Sequence, residues 1–329
     1  MPNTAPSIDN KSMVKYIKNA TKGNIVDLLH AGNMTKNGAG NDIVEMHHMQ
    51  NAGCVAFTDD KNSTTRNEVL KIAMLYSNDC NALIMNYPND NSIANNGYMH
   101  EGITSTKLGL KGIPSLAEEM MVDRDINLIE YTQSRFHLSY ISTTKSAKKI
   151  REAKAAGLNI TADVALHNLF LTDEAVNNFD TRFKVMPPLR TEKDNITLIN
   201  ALIDGTIDVI TTDHTPQDAE NKKIEFDNAA NGIIGLESAF GLIGKHLLPK
   251  IDISTIIKKI AINPRKILKI SEVKIEEGQP ANITLFNPDL EWEFTSKDIK
   301  SLSVNTPFIG EKLKGKALAI YNNGQFKSC

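Results

Sequence analysis

The run Ile207-Asp208-Val209-Ile210-Thr211-Thr212 narrows the folds open to this chain more than any other stretch. β-Branched residues dominate it, so it reads as a short buried strand. An extended Pro187-Pro188 stretch, a charged amphipathic helix from about Glu192 to Asp204 and a Gly205 stop precede it, and it runs straight into Asp213-His214. A buried strand that ends in a carboxylate and an imidazole is how a (β/α)8 barrel presents catalytic groups at its C-terminal rim. The alternative is that Asp213 caps the next turn.

The same texture recurs along most of the chain. Ser12 to Ala20, Asp42 to Ala52, Glu68 to Asn78, Ser115 to Tyr131 and Lys145 to Ala156 read as helices. Asn24 to Leu29, Cys54 to Thr58, Asn81 to Met85, Phe136 to Ile141 and Asn159 to Val164 read as strands. Such alternation predicts βα units and a parallel sheet, an α/β fold. The length of 329 residues suits one large (β/α)8 TIM-type barrel and a small accessory unit. After Asn263-Pro264 the helical patterns stop, and Ala281 to Phe286 and Lys316 to Tyr321 look like strands joined by turns. The expected division is a barrel over residues 1–270 and a small β unit over 271–329.

Composition removes several function classes. A net charge of -2 gives no footing for nucleic acid or an anionic membrane. No apolar run approaches the roughly 18 residues that span a bilayer, and the first residues lack the basic and apolar regions of a signal peptide. Cys54, Cys80 and Cys329 are far apart and in no metal-like spacing, so they read as reduced thiols of a cytoplasmic protein. Gly38-Ala39-Gly40 is too short and badly placed for a phosphate loop.

Several motifs, in order, resemble the dihydroorotases of the amidohydrolase superfamily. The run Gly205 to His214, preceded by Pro187-Pro188-Leu189-Arg190, is the longest of them. Met1-Pro2-Asn3-Thr4 is similar to the segment that follows the family's second barrel strand. Glu101-Gly102, Leu108 to Pro114 and Ala117-Glu118 match the segment before its fifth barrel helix. Ile141-Ser142-Thr143, Leu169 to Glu174, Gly232 to Glu237 and Glu276 to Asn282 fit as well. The resemblance implies a metal-dependent hydrolase barrel with a small sandwich, and a place in pyrimidine biosynthesis. It implies interconversion of N-carbamoyl-L-aspartate and dihydroorotate by zinc-assisted hydrolysis of a cyclic amide. Zinc would turn water into hydroxide and polarise the amide carbonyl, and an Asp would carry the proton from that water to the leaving nitrogen.

Set against this pattern, the chain departs at the ligands. The family's first-strand His-x-His and the Arg after it lie upstream of the Met-Pro-Asn-Thr segment, so the first barrel strand is absent from the chain as written. Either upstream in-frame sequence or a truncated product is the expectation. His47-His48 cannot stand in, being adjacent and inside a helical pattern. By resemblance Asp60 is the bridging metal ligand and Asp213 the proton carrier and residual ligand, but two histidine positions hold Tyr87 and Tyr140. A neutral phenol is a much poorer zinc ligand than an imidazole. The second rim histidine is Gln217, and the substrate-facing Asn is Met186. Asn3 and Gly232 are the remaining candidates for substrate contact. His137 and His167 lie near the old site and read as structural imidazoles. The expectation is a dihydroorotase homologue with weak or absent zinc and impaired catalysis. The alternative is an inactive member that serves as a structural subunit for aspartate transcarbamoylase or a paralogous dihydroorotase, with a homo-oligomer also possible. A third reading keeps one metal at Asp60, Asp213 and a shifted histidine, with an altered substrate.

Overall fold

A computed structural model of the chain describes residues 4–329. Six short strands precede the C-terminal region: β1 (Ile84–Asn86), β2 (Met99–His100), β3 (Gly112–Ile113), β4 (Phe136–Leu138), β5 (Ile160–Ala165) and β6 (Val209–Thr211). β1, β4, β5 and β6 form one sheet in that order, parallel throughout, with Ile84 opposite Phe136, Phe136 opposite Ile160 and Val164 opposite Ile210. Single parallel bridges extend the series. Phe57 pairs with both Gly32 and Ile84, and His214 pairs with Ile233 beyond β6. β2 and β3, between β1 and β4 in sequence, pair only with each other. Apart from them, neighbours in space follow one another along the chain, the arrangement by which βα units lay down a barrel wall.

Helices Asn67–Asp79, Leu116–Thr132, Thr144–Ala155 and Glu192–Ile203 connect the staves. Their ends are set locally. The Thr143 hydroxyl accepts from the Ser146 N–H, and Thr191 with Asp194 forms a reciprocal capping box. Each helix turns an apolar stripe inward, such as Leu198, Ile199 and Leu202. Phe57, Ile84, Phe136, Leu138, Ala162, Val164 and Ile207 fill the centre, each 1% exposed or less.

The chain ends in an antiparallel sheet of β7 (Ile283–Glu293), β8 (Lys312–Asn322) and β9 (Gln325–Ser328). β8 lies against helix Ala239–His246. At Gly244 the two backbones come so near that a Cβ would stand 1.7 Å from the Lys314 carbonyl oxygen, so only glycine fits. No helix among the described residues is long and apolar enough to cross a membrane.

Some expected strands are shorter than their apolar runs. Asn24 to Leu29 forms none; the Asn24 and Ile25 carbonyls accept instead from the side-chain amides of Asn323 and Asn322. Cys54 to Thr58 pairs only at Phe57, and β4 stops at Leu138 rather than Ile141. Helix Asp42 to Ala52 starts only at Met46, because Ile43 bridges back to Thr35. In each case the partner, rather than the apolar pattern, decides how far an element runs.

Candidate active site

The segment after Phe57 ends in two aspartates with different fates. Asp59 accepts from the Met34 N–H at 2.9 Å, the Thr35 N–H at 3.0 Å and the Thr35 hydroxyl at 2.6 Å, so it binds a neighbouring loop. Asp60 takes a left-handed backbone conformation, φ +55°. Burial raises its carboxyl above the ordinary value. Lys61 follows, and its ammonium lies 2.7 Å from Oδ1 and 2.8 Å from Oδ2 of Asp213.

Asp213, at the end of β6, is 4% exposed and also left-handed, φ +48°. Burial pushes its carboxyl up to about 6, against the opposing pull of Lys61. The side chain is therefore buried against Lys61 and caps no helix. His214 turns away. Its Nδ1 accepts from the Gly235 and Leu236 N–H groups at 3.1 and 3.3 Å, and Ser301 Oγ lies 3.4 Å from Nε2.

Two phenols occupy the rim beside Asp213. Tyr87 is 3% exposed, and its ring meets that of Tyr140 edge to face with centroids 6.2 Å apart. The Lys61 ammonium stands 4.9 Å from the Tyr140 ring centroid, within cation–π range. Burial raises both phenols, so they stay neutral, and nearby carboxylates (Glu118 for Tyr87, Asp213 for Tyr140) push the same way. Tyr140 is left-handed too, φ +60°. Three such non-glycine residues at the ends of three staves mark a strained rim of the kind found at functional sites.

His137 and Asp163 form the floor. His137 Nε2 donates to Asp163 Oδ2 at 2.9 Å, and Thr161 Oγ1 lies 2.8 Å from Nδ1. Asp163 Oδ1 accepts from the Tyr140 N–H at 2.7 Å. His167 sits on the turn after β5, buried, with Nε2 3.8 Å from Asp213 Oδ2 and without a hydrogen-bond partner. Burial, with Lys61 adding to it, holds its imidazole down at about 3, so it is neutral.

The structure thus gathers Asp60, Tyr87, Tyr140 and Asp213 in one cluster about Lys61, with His167 and the His137–Asp163 pair beside it. His47 and His48 lie exposed on helix Met46–Ala52. Gly232 is engaged within the protein: its N–H donates to the Lys184 carbonyl at 2.9 Å, and its carbonyl accepts from Asn305 at 3.1 Å and Lys222 at 3.2 Å. Gln217 donates from Nε2 to the Asn231 carbonyl. Met186 packs against a small cluster of Ala94, Ile113 and Ala117. Asn3 lies outside the described residues. Among the described residues no three His, Cys, Asp or Glu side chains come together as a metal-holding group.

Lys61 and Asp163 escape sequence reasoning. A lysine after a strand-end Asp-Asp pair reads as a solvated loop residue, although its place directly behind Asp60 is itself a signal. Asp163 points inward from a strand whose alternation gives no hint of charge.

A family model described as dihydro-orotase-like matches residues 1–146. The chain is 43% identical over 330 residues to the dihydroorotase of Thermoanaerobacter sp. (strain X514), covering 99% of this chain and 76% of that protein. It is 39% identical over 319 residues to the dihydroorotase of Geotalea daltonii, covering 96% and 75%. Among solved structures, the L-hydantoinase (dihydropyrimidinase) of Arthrobacter aurescens superposes with a TM-score of 0.87 at 19% identity, over 100% of this chain and 76% of that one. This likeness identifies the parallel series as the wall of a TIM-type α/β barrel with an antiparallel sheet beside it.

Proposed function

The chain belongs to the dihydroorotase family, and from that premise we propose that it serves pyrimidine biosynthesis, built on the plan of a cyclic-amide hydrolase but impaired as a zinc enzyme. The family's reaction opens dihydroorotate to N-carbamoyl-L-aspartate or closes it again. When bound, zinc supplies hydroxide near neutral pH and polarises the amide carbonyl.

The residues present do not fit that ion. The observation that carries this reading is the pair of buried, neutral phenols, Tyr87 and Tyr140, at positions where the resemblance calls for imidazoles. Phenols that burial keeps protonated are weak donors to zinc. The remaining carboxylate, Asp213, is held by an ammonium. With zinc weak or absent, no hydrolytic step is assigned to the pocket. What the chain's own residues retain is a buried carboxyl that burial raises to about 6, in the range suited to general acid–base work, framed by Tyr140 and the His137–Asp163 pair.

The test is metal content and turnover of the full chain purified from zinc-supplemented medium. The expected result is zinc far below one ion per chain and no enzyme-like opening of dihydroorotate. One zinc per chain together with rapid ring opening would overturn the reading.

A second reading, a cytoplasmic structural subunit beside aspartate transcarbamoylase, a paralogous dihydroorotase or a second copy, draws support from the C-terminal sheet. Leu285 and Phe326 there are 59% and 71% exposed, apolar side chains that a partner surface would cover. Co-purification of the tagged chain with aspartate transcarbamoylase or a second dihydroorotase tests it.

A further inference from the structure

We propose that Lys61 is the resident cation of this pocket, a tethered ammonium that takes over the counter-charge a metal would give Asp213 and closes the site to divalent ions. The inference rests on the metal-poor reading above and adds a second cause beside the two phenols.

Three observations carry it. First, the ammonium straddles the carboxylate, within 2.8 Å of both oxygens. The Asp213 side chain is 1% exposed while that of Lys61 is 21% exposed, so the charge reaches inward from the rim to a carboxylate that water does not serve. A buried carboxylate demands such a partner.

Second, the surroundings are shaped to hold a cation there. Lys61 follows the left-handed Asp60, and the face of Tyr140 takes its ammonium at 4.9 Å. Tyr140 is itself fixed by its N–H bond to Asp163. A divalent ion at Asp213 would meet the ammonium at contact distance, and like charges so close exclude one another.

Third, a donor stands idle beside the pair. His167 is buried, and its Nε2 has no hydrogen-bond partner while lying 3.8 Å from Asp213 Oδ2. An unpartnered buried nitrogen is an uncommon expense in a folded protein. The His167 Nε2 and the Asp213 carboxylate are a pair of potential donors on the side of the carboxylate that the ammonium covers, one short of a three-residue metal group.

The test compares the full-length wild type with Lys61→Met, Lys61→Arg and the double variant Lys61→Met/His167→Gln. Added ZnCl2 is read by melting temperature, and added CoCl2 by visible d–d absorption. Wild type and K61R are expected to show no shift and no bands. K61M is expected to melt several degrees lower without metal, to regain that loss with zinc, and to bind either ion at least about tenfold more tightly than wild type. The double variant is expected to lose the response.

A K61M protein that ignores both metals, whether or not it is less stable, overturns the inference and leaves the proposed function standing. Zinc bound by the wild type sinks both. If K61M does not accumulate folded, refolding from urea decides: recovery only with zinc supports the proposal, and failure in both conditions overturns it.

Discussion

His167 and Asp213 face each other across 3.8 Å, and burial shifts them in opposite senses. The imidazole falls to about 3 from an ordinary 6.5, so between those values the unfolded chain binds a proton that the folded chain refuses. Its contribution to stability is complete above pH 6.5 and is lost as the pH falls. The carboxyl rises to about 6 from 3.8, so in that window the folded chain holds the extra proton. Its contribution is complete below 3.8 and is lost as the pH rises through about 6. The two slopes oppose each other between about pH 4 and 6, and the substitutions separate them. His167→Gln should gain on the wild type as the pH falls through this window, and Asp213→Asn should gain as it rises, each by up to roughly 1.4 kcal/mol per pH unit. Urea unfolding at about pH 4, 5 and 6 reads both. Differences that stay constant with pH would show that neither group is desolvated as described. At this scale the sequence discloses Asp60 and Asp213, because a carboxylate at the end of a buried strand is a positional signal. It hides Lys61, whose meaning depends on a partner 152 positions away.

The elements are tied together by a polar knot below the pocket. Glu118, in the first turn of helix Leu116–Thr132, accepts from the Ser142 and Thr143 N–H groups at 3.1 and 3.0 Å and from both hydroxyls. Arg190 approaches it at 3.9 Å, donates to Ser142 Oγ at 3.0 Å and the Ile113 carbonyl at 3.0 Å, and lies 3.1 Å from His100 Nδ1. One helix, the turn after β4, strands β2 and β3 and the Pro-Pro segment therefore share a single buried charge pair. Glu118→Gln removes one of the two oxygens that accept from the Ser142 and Thr143 N–H groups, which only donate, and leaves Arg190 without its counter-charge. The expected cost is roughly 3 kcal/mol or more in urea unfolding; a cost below about 1 kcal/mol would mean the network is solvated rather than buried. Helices were legible here to within a few residues, since Thr143, Thr191 and Gly205 are local stop and start signals. Strand lengths were not. The Phe136 to Ile141 and Cys54 to Thr58 runs are cut short where the neighbouring backbone ceases to offer a ladder.

At the scale of the whole molecule, the proposed boundary near residue 271 can be tested without assuming that either side folds alone. Residues 271–281 are all exposed, and β7 begins only at Ile283. Exposed backbone that belongs to no helix or strand is where proteases cut. The far side of that stretch is nonetheless bound to the near side. Phe294, Phe308 and Leu313 are each 3% exposed or less and belong to the same core as Ile84 and Phe136. The Glu237 carboxylate accepts from the Ser301 N–H at 2.7 Å and its hydroxyl at 2.6 Å, and the Ile234 N–H donates to the Asn305 carbonyl. Buried apolar side chains hold a cut chain together because separation would return their surface to water, at about 25 cal/mol per Å2. Brief proteolysis should therefore give two fragments that elute together in native gel filtration and part only in denaturant. Fragments that separate under native conditions would mean the sheet leans on the barrel without sharing its core. A chain that resists cutting at 271–281 would place the boundary elsewhere.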